Sequence, residues 1–181
     1  GREETEAFLK ADNSTPPLTV QVNPLKTDPE SLIRELSGWG IAAVPHPWVP
    51  GCLELTGVGD LTTLEPFRNG KMLVQDPAAR LVSLIAGVKP GQKVLDLCAA
   101  PGGKSFSAAF AMEDKGEIVS CDLHKNKLKR IQEGAARLDL TSITTSAGDG
   151  RVFRPEWAER FDTVLVDAPC SGLGIIRKKP D

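Results

Sequence analysis

The first third of the chain carries apolar residues in short runs. Leu18-Thr19-Val20-Gln21-Val22 alternates apolar and polar, the period of a half-buried strand. Asp28-Pro29-Glu30 opens a helix, with Asp28 as N-cap and Pro29 at the first helical position. Leu32, Ile33 and Leu36 give that helix its apolar stripe, and Gly38 and Gly40 stop it. Ile41 to Val44 and Cys52 to Leu55 are short strands in a turn-rich stretch. Residues 17–76 are therefore expected to form a small α/β unit. Residues 1–16 are expected to be a connector, because Asn13-Ser14-Thr15-Pro16-Pro17 cannot continue a helix.

A second regime begins at Asp76 and runs over residues 77–181. Pro77 to Ala86 has helical spacing, and Lys89-Pro90-Gly91 turns the chain. Strands at Val94–Leu97 and Glu117–Cys121 alternate with helices at Lys104–Met112 and Lys125–Arg137. A weak strand at Ser142–Thr145 and a nearly all-apolar one at Phe161–Val166 follow. Apolar runs of this kind suit a parallel sheet buried on both faces. The alternation predicts a doubly wound α/β sheet with right-handed crossovers.

Composition narrows the partners. A net charge of −2 and a pI near 5.8 exclude a uniformly basic nucleic-acid glove, so any RNA contact has to come from local patches. No apolar run approaches the roughly 18–20 residues of a membrane span. Gly1-Arg2-Glu3-Glu4-Thr5-Glu6 lacks the apolar core of a signal peptide. Cys52, Cys98, Cys121 and Cys170 include no C-x-x-C pair, and the histidines are His46 and His124 alone. Neither a metal site nor a disulfide framework is expected. The expectation is a monomer in a reducing cytoplasm, with no membrane partner.

The candidate chemistry lies where the first strand of the second regime ends. Ligands of open parallel sheets bind at the carboxyl edge. Cys98-Ala99-Ala100-Pro101-Gly102-Gly103-Lys104 occupies that edge. Pro101 bends the chain, Gly102 and Gly103 let a ligand approach the backbone, and Lys104-Ser105 opens a helix. The dinucleotide glycine fingerprint and the G-x-x-x-x-G-K-[ST] phosphate loop are both absent, which favours a cofactor without phosphates. Asp122 ends the second strand, where an acid accepts ribose hydroxyls. Asp149 follows the third strand, where an adenine amino group would lie, and Asp167 ends the fourth.

Val94-Leu95-Asp96-Leu97-Cys98-Ala99-Ala100-Pro101-Gly102-Gly103-Lys104, with Asp167-Ala168-Pro169-Cys170-Ser171-Gly172, resembles the Sun/Nop family of RNA 5-methylcytosine methyltransferases. Gly70-Lys71-Met72-Leu73-Val74-Gln75-Asp76 and Gly148-Asp149-Gly150-Arg151 resemble further motifs of that family. The resemblance runs from about Pro16 to Asp181 and is to members acting on bacterial small-subunit ribosomal RNA. It implies a Rossmann-like methyltransferase domain over 77–181, preceded by a small RNA-binding domain over 17–76. It also implies S-adenosylmethionine as cofactor and ribosomal RNA as substrate. Cys98 to Lys104 would wrap the methionine part, Asp122 would hold the ribose and Asp149 the adenine. Asp167 would sit beside the sulfonium and the target base. Lys127 stands where the family often has Arg and is not counted as a site.

C5 of cytosine is a poor nucleophile. A thiolate adding at C6 makes an enamine that can attack the sulfonium methyl; the C5 proton then leaves and the thiol is eliminated. An acid near N3 stabilises the adduct, a role Asp167 could fill, and the base has to be unstacked first. The part played by Cys170 stays open on position alone. A Pro-Cys thiol is the nucleophile in DNA cytosine-5 methyltransferases, whereas in the Sun/Nop family it helps release product and a Thr-Cys pair on a later strand attacks. No Thr-Cys pair occurs here. The resemblance thus implies a truncated catalytic domain that binds cofactor weakly, if at all, and does not turn over. The alternative is a non-catalytic RNA-binding module with a methyltransferase fold.

Plainer readings stand beside these. Cys98 can serve through its backbone alone, Asp96 can order the loop, and Asp122 and Asp149 can be helix caps. Lys125, Lys127, Lys129, Arg130 and Arg137 form either an RNA-phosphate stripe or a solvated face. Arg177-Lys178-Lys179 is placed for an RNA contact. Cys52, Cys121, Trp39, Trp48 and Trp157 read as packing residues, and His46 as a turn residue.

Overall fold

A computed structural model describes residues 1–14 and 16–171. The chain opens with helix α1 (Arg2–Asp12), which buries no residue. The stretch expected to be a connector is therefore helical. Five of its eleven residues are Arg, Glu or Lys, and no apolar stripe docks it.

The next unit runs β1 (Leu18–Val22), α2 (Pro29–Gly38), β2 (Ala42–Pro45), β3 (Cys52–Thr56), α3 (Glu65–Arg68) and β4 (Met72–Val74). Its antiparallel sheet has the order β2-β3-β1-β4. Asp28 caps α2 as expected, accepting from Ser31 N at 2.9 Å. Val20, Val22, Leu32, Leu36, Leu53 and Met72 form the core of this unit. The short helix α3 and strand β4 carry too few residues to announce a period, and the sequence reading missed both.

The second unit runs α4 (Pro77–Ala86), β5 (Lys93–Asp96), α5 (Gly103–Ala111), β6 (Glu117–Asp122), α6 (Lys125–Leu138), β7 (Ile143–Ala147) and β8 (Thr163–Leu165). Its strands are all parallel, in the order β7-β6-β5-β8. Phe106, Phe110, Leu128 and Ile131 of α5 and α6 pack with Val94 and Ile118 on one face. On the other face Leu95, Val119 and Cys121 meet Leu97, Trp157 and Phe161. Trp157 is a packing residue, edge-on to Phe161 and beneath Arg154.

Trp39 and Trp48 are expected to be packing residues, yet they are 49 % and 84 % exposed. Two further burial expectations need correction. β1 was expected to be half-buried, yet Thr19 and Gln21 are as buried as Val20 and Val22. Its polar face lies against the second unit, where Gln21 meets Ser107 of α5. β8 was expected to be buried on both faces, yet Val164 and Val166 are exposed. It is an edge strand of the described sheet, paired with β5 alone.

The two units are bonded as well as packed. Asn23 Nδ2 donates to Gly70 O at 2.9 Å and to Leu138 O at 3.3 Å. Gly70 (φ +71°) comes so close to α6 that a Cβ there would stand 2.2 Å from Arg137 O. Arg137 Nη1 donates to Phe67 O and Met72 O at 2.6 and 3.0 Å. Arg137 therefore belongs to this seam and not to an RNA stripe. Lys125, Lys127, Lys129 and Arg130 of the same helix remain exposed.

Candidate cofactor-binding site

The site grows out of Asp96, the last residue of β5. The loop after it is tied to both neighbouring strands: Leu97 N donates to Leu165 O at 3.0 Å and Ala99 N to Cys121 O at 2.9 Å. The Ala100–Pro101 bond is cis. Gly102 then caps α5 with φ +110°. A Cβ at Gly102 would lie 2.5 Å from Phe106 Cζ, and one at Gly134 would meet the same atom at the same distance. The missing side chain of Gly102 thus makes room for Phe106, not for a ligand as expected. Gly103 is the glycine that faces the open crevice, where a Cβ would meet only Gln75 Nε2, at 3.5 Å.

Two cavities meet at this loop and share Cys98. The larger, about 430 Å³, is walled by Leu97, Leu123, Val166, Ala168 and Pro169, with Asp149, Gly150 and Arg151 at its polar margin. The smaller, about 190 Å³, lies between Gln75, Asp76, Asp96, Gly103, Lys104 and Asp167, and also touches Ala99, Ala100 and Pro101. An elongated ligand with a flat, largely apolar ring at one end and charged groups at the other suits that pair of spaces.

Asp96 is 1 % exposed. Its Oδ2 accepts from Ser105 Oγ at 2.7 Å, and Ser105 accepts in turn from Ser120 Oγ at 2.7 Å. Its Oδ1 is buried and has no protein partner. Burial is the main reason that its pKa is pushed up to about 6. A buried carboxylate oxygen left unpaired beside a cavity is a costly arrangement that a donor on a ligand would relieve.

The other predicted residues are distributed as follows. Lys104 Nζ reaches across the smaller cavity to Asp167 Oδ2 at 2.5 Å. Asp149 is held by Arg151 through Nε and Nη2 and by the Arg151 amide, and these contacts draw its pKa down to about 2. Asp122 is 8 % exposed and accepts from Ala100 N at 3.2 Å and His124 N at 3.0 Å. It supports the loop from below and lines neither cavity. Burial, then the surrounding carboxylates, push the Cys98 thiol up, which favours the neutral form and a backbone role. Cys170 is exposed on the segment after β8, next to the cavity residues Ala168 and Pro169. Gly172 and Arg177-Lys178-Lys179 lie outside the described residues.

Sequence reasoning missed Gln75 and the apolar wall. Gln75 Nε2 donates to Gly103 O at 2.9 Å. Leu123 and Val166 are large apolar residues left exposed beside strand ends. That apolar side chain next to the strand-end acid was the available signal.

A family model described as "16S rRNA methyltransferase RsmB/F" matches residues 84–181. The chain belongs to the RsmB/F family. A second model, the ferredoxin-like domain of RsmF/B-like methyltransferases, matches residues 1–62. The "Probable ribosomal RNA small subunit methyltransferase B" of Bacillus subtilis is 39 % identical over 100 % of this chain and 40 % of its own length. The ribosomal RNA small subunit methyltransferase B of Photorhabdus laumondii is 36 % identical, over 99 % of this chain and 42 % of its own length. The crystal structure of PH0851 superposes with a TM-score of 0.91 at 36 % identity, covering 98 % of this chain and 41 % of that one. This RsmB/F-family chain therefore spans about 40 % of the length of the curated relatives it matches. The expected order of a small α/β unit and a Rossmann-like methyltransferase sheet holds, and the family model identifies the small unit as ferredoxin-like. Among the described residues no helix is long and apolar enough to cross a membrane, and no group of three metal-binding side chains occurs.

Proposed function

We propose that the crevice around residues 96–104 holds S-adenosylmethionine, and that the protein to which this chain belongs transfers its methyl group to C5 of a cytosine in ribosomal RNA. The observation that carries the cofactor reading is the unpaired, buried Asp96 Oδ1 at the wall of a two-part cavity. Family membership carries the reaction class and the substrate class. The bound cofactor would supply an electrophilic methyl on a sulfonium.

The residues divide the remaining work. Leu97, Leu123, Val166 and Pro169 exclude water around a flat ring, with Asp149 and Gly150 at its polar edge. Asp96 and the backbone of Cys98 to Gly103 hold the charged end. Asp122 acts through the loop, because its carboxylate accepts from Ala100 and His124 and lines neither cavity. Lys104 fixes the Asp167 carboxylate at the mouth, where it can hold a proton at N3 of the target base. Cys170, three residues further on, is the thiol assigned to product release. Ribosomal RNA is the partner, and the cytoplasm the compartment in which it is met.

The test uses a chain of the relatives' full length, incubated with small-subunit ribosomal RNA and labelled S-adenosylmethionine. Label recovered as 5-methylcytosine supports the proposal. Cofactor binding without label in RNA, or label on another base, overturns the assigned reaction.

A further inference from the structure

The polar face of β1 is sealed against α5, yet it is not apolar. Gln21 is 1 %, Gln75 6 % and Ser107 0 % exposed. With the Gln21 amide oriented as its neighbours require, its oxygen accepts from Arg80 Nε and Nη1 at 3.2 and 3.3 Å. Its nitrogen then faces Ser107 Oγ at 2.5 Å and Gln75 Oε1 at 2.8 Å. Ser107 Oγ also donates to Gln75 Oε1 at 2.8 Å. Gln75 has one amide end left, and that nitrogen donates to Gly103 O at 2.9 Å. Every donor in the chain faces an acceptor, so the orientation of each amide dictates the next.

We infer that Gln75 is a positioning residue, and that the relay Arg80–Gln21–Gln75, braced by Ser107, fixes the Gly103 end of the cofactor loop to the way the ferredoxin-like unit is seated. Gln21 lies in β1 of that unit and lines neither cavity. Gly103 is one of the loop residues that line the crevice. The Gln75 amide gives a disturbance on β1 a side-chain route to Gly103. Packing alone would not do this, because an apolar side chain at position 75 would fill the space and leave Gly103 O without this partner. The meaning of the loop rests on the cofactor reading above, but the relay itself does not.

The discriminating change is Gln21→Glu. It is nearly isosteric and keeps an acceptor for Arg80, but it presents only oxygens to Ser107 and Gln75. Gln75 then has to turn its nitrogen toward position 21 and withdraw it from Gly103. Hydrogen exchange is measured by NMR on the ligand-free chain for Gln21→Glu, for Gln75→Leu and for Leu36→Val. The last weakens the small-unit core and leaves the relay intact. The expected result is at least tenfold faster exchange over residues 102–106 in the first two variants, relative to the amides of β6. Leu36→Val should leave that ratio unchanged. Unchanged loop exchange in Gln21→Glu, or an equal effect from Leu36→Val, overturns the relay. A parallel titration of a chain of the relatives' full length with S-adenosylhomocysteine separates the two claims: failure of that chain to bind rejects the cofactor reading, while the exchange ratios still decide the relay.

Discussion

Lys104 Nζ and Asp167 Oδ2 stand 2.5 Å apart, joining the first turn of α5 to the end of β8 across the mouth of the crevice. The two residues are 63 positions apart, and each is carried by a different strand-end segment of the same sheet. A contact of this kind holds a carboxylate in one place while leaving it open to solvent and to a base.

Because the pair acts as one unit, its loss should not be additive. Asp167→Asn and Lys104→Gln should each weaken binding of S-adenosylhomocysteine by about tenfold, and the double variant by no more than either alone. Titration of the four proteins gives the coupling directly. Losses that multiply in the double variant would show two independent contacts.

Asp96 gives a pH signature. Its folded pKa, about 6, lies above the ordinary 3.8, so between those values the folded state holds a proton that the unfolded state has lost. Stability is therefore drained as pH rises from about 4 through about 6, and the loss is complete above that. Asp96→Asn removes this contribution. Urea unfolding at pH 4.5 and pH 7 should show Asp96→Asn gaining on the wild type by on the order of 2 kcal/mol between the two pH values. The same substitution should weaken cofactor binding, since Oδ1 is then no longer a charged acceptor. A difference between the proteins that does not change with pH would refute the assignment.

The paired glycines should behave oppositely. Gly102→Ala forces a side chain into a left-handed conformation and against the Phe106 ring, and should cost about 3 kcal/mol or more. Gly103→Ala meets only ordinary contact with Gln75 inside the start of a helix, so its stability change should stay within about 1 kcal/mol. Its effect should fall on ligand binding, because the new methyl lies at the crevice. Thermal unfolding of both variants settles the contrast.

Arg137 should be a stability residue. It bridges Phe67 O and Met72 O, and its guanidinium lies 4.0 Å from the Phe67 ring centroid. Arg137→Lys keeps the charge and loses the planar fork, and should cost about 2 kcal/mol. Lys129→Gln, exposed on the same helix, should change stability by less than about 0.5 kcal/mol. Equal effects would remove Arg137 from the seam.

The sheet of the second unit was legible because β5 and β6 are buried on both faces and α6 repeats Leu128, Ile131, Ala135 and Leu138 on one side. The glycine loop was legible because strand, turn and helix follow without interruption. What stayed hidden depends on tertiary contacts, several of them between the two units. Nothing local says that Gln21 and Gln75 are buried, that Gly70 is pressed against Arg137, or that Gly102 yields its space to Phe106. Asp122 illustrates the same limit: a strand-end acid signals a ribose partner, but only the folded loop reveals that Ala100 and His124 already occupy part of it.

The most direct measurement is an NMR titration of a chain of the relatives' full length with S-adenosylhomocysteine, a format that resolves weak binding. The expected result is saturable shifts confined to residues 96–104, Leu123, 149–151 and 166–169, with the exposed face of α6 silent. No localised shifts at millimolar ligand, or shifts centred on the ferredoxin-like sheet instead, would contradict the cofactor site.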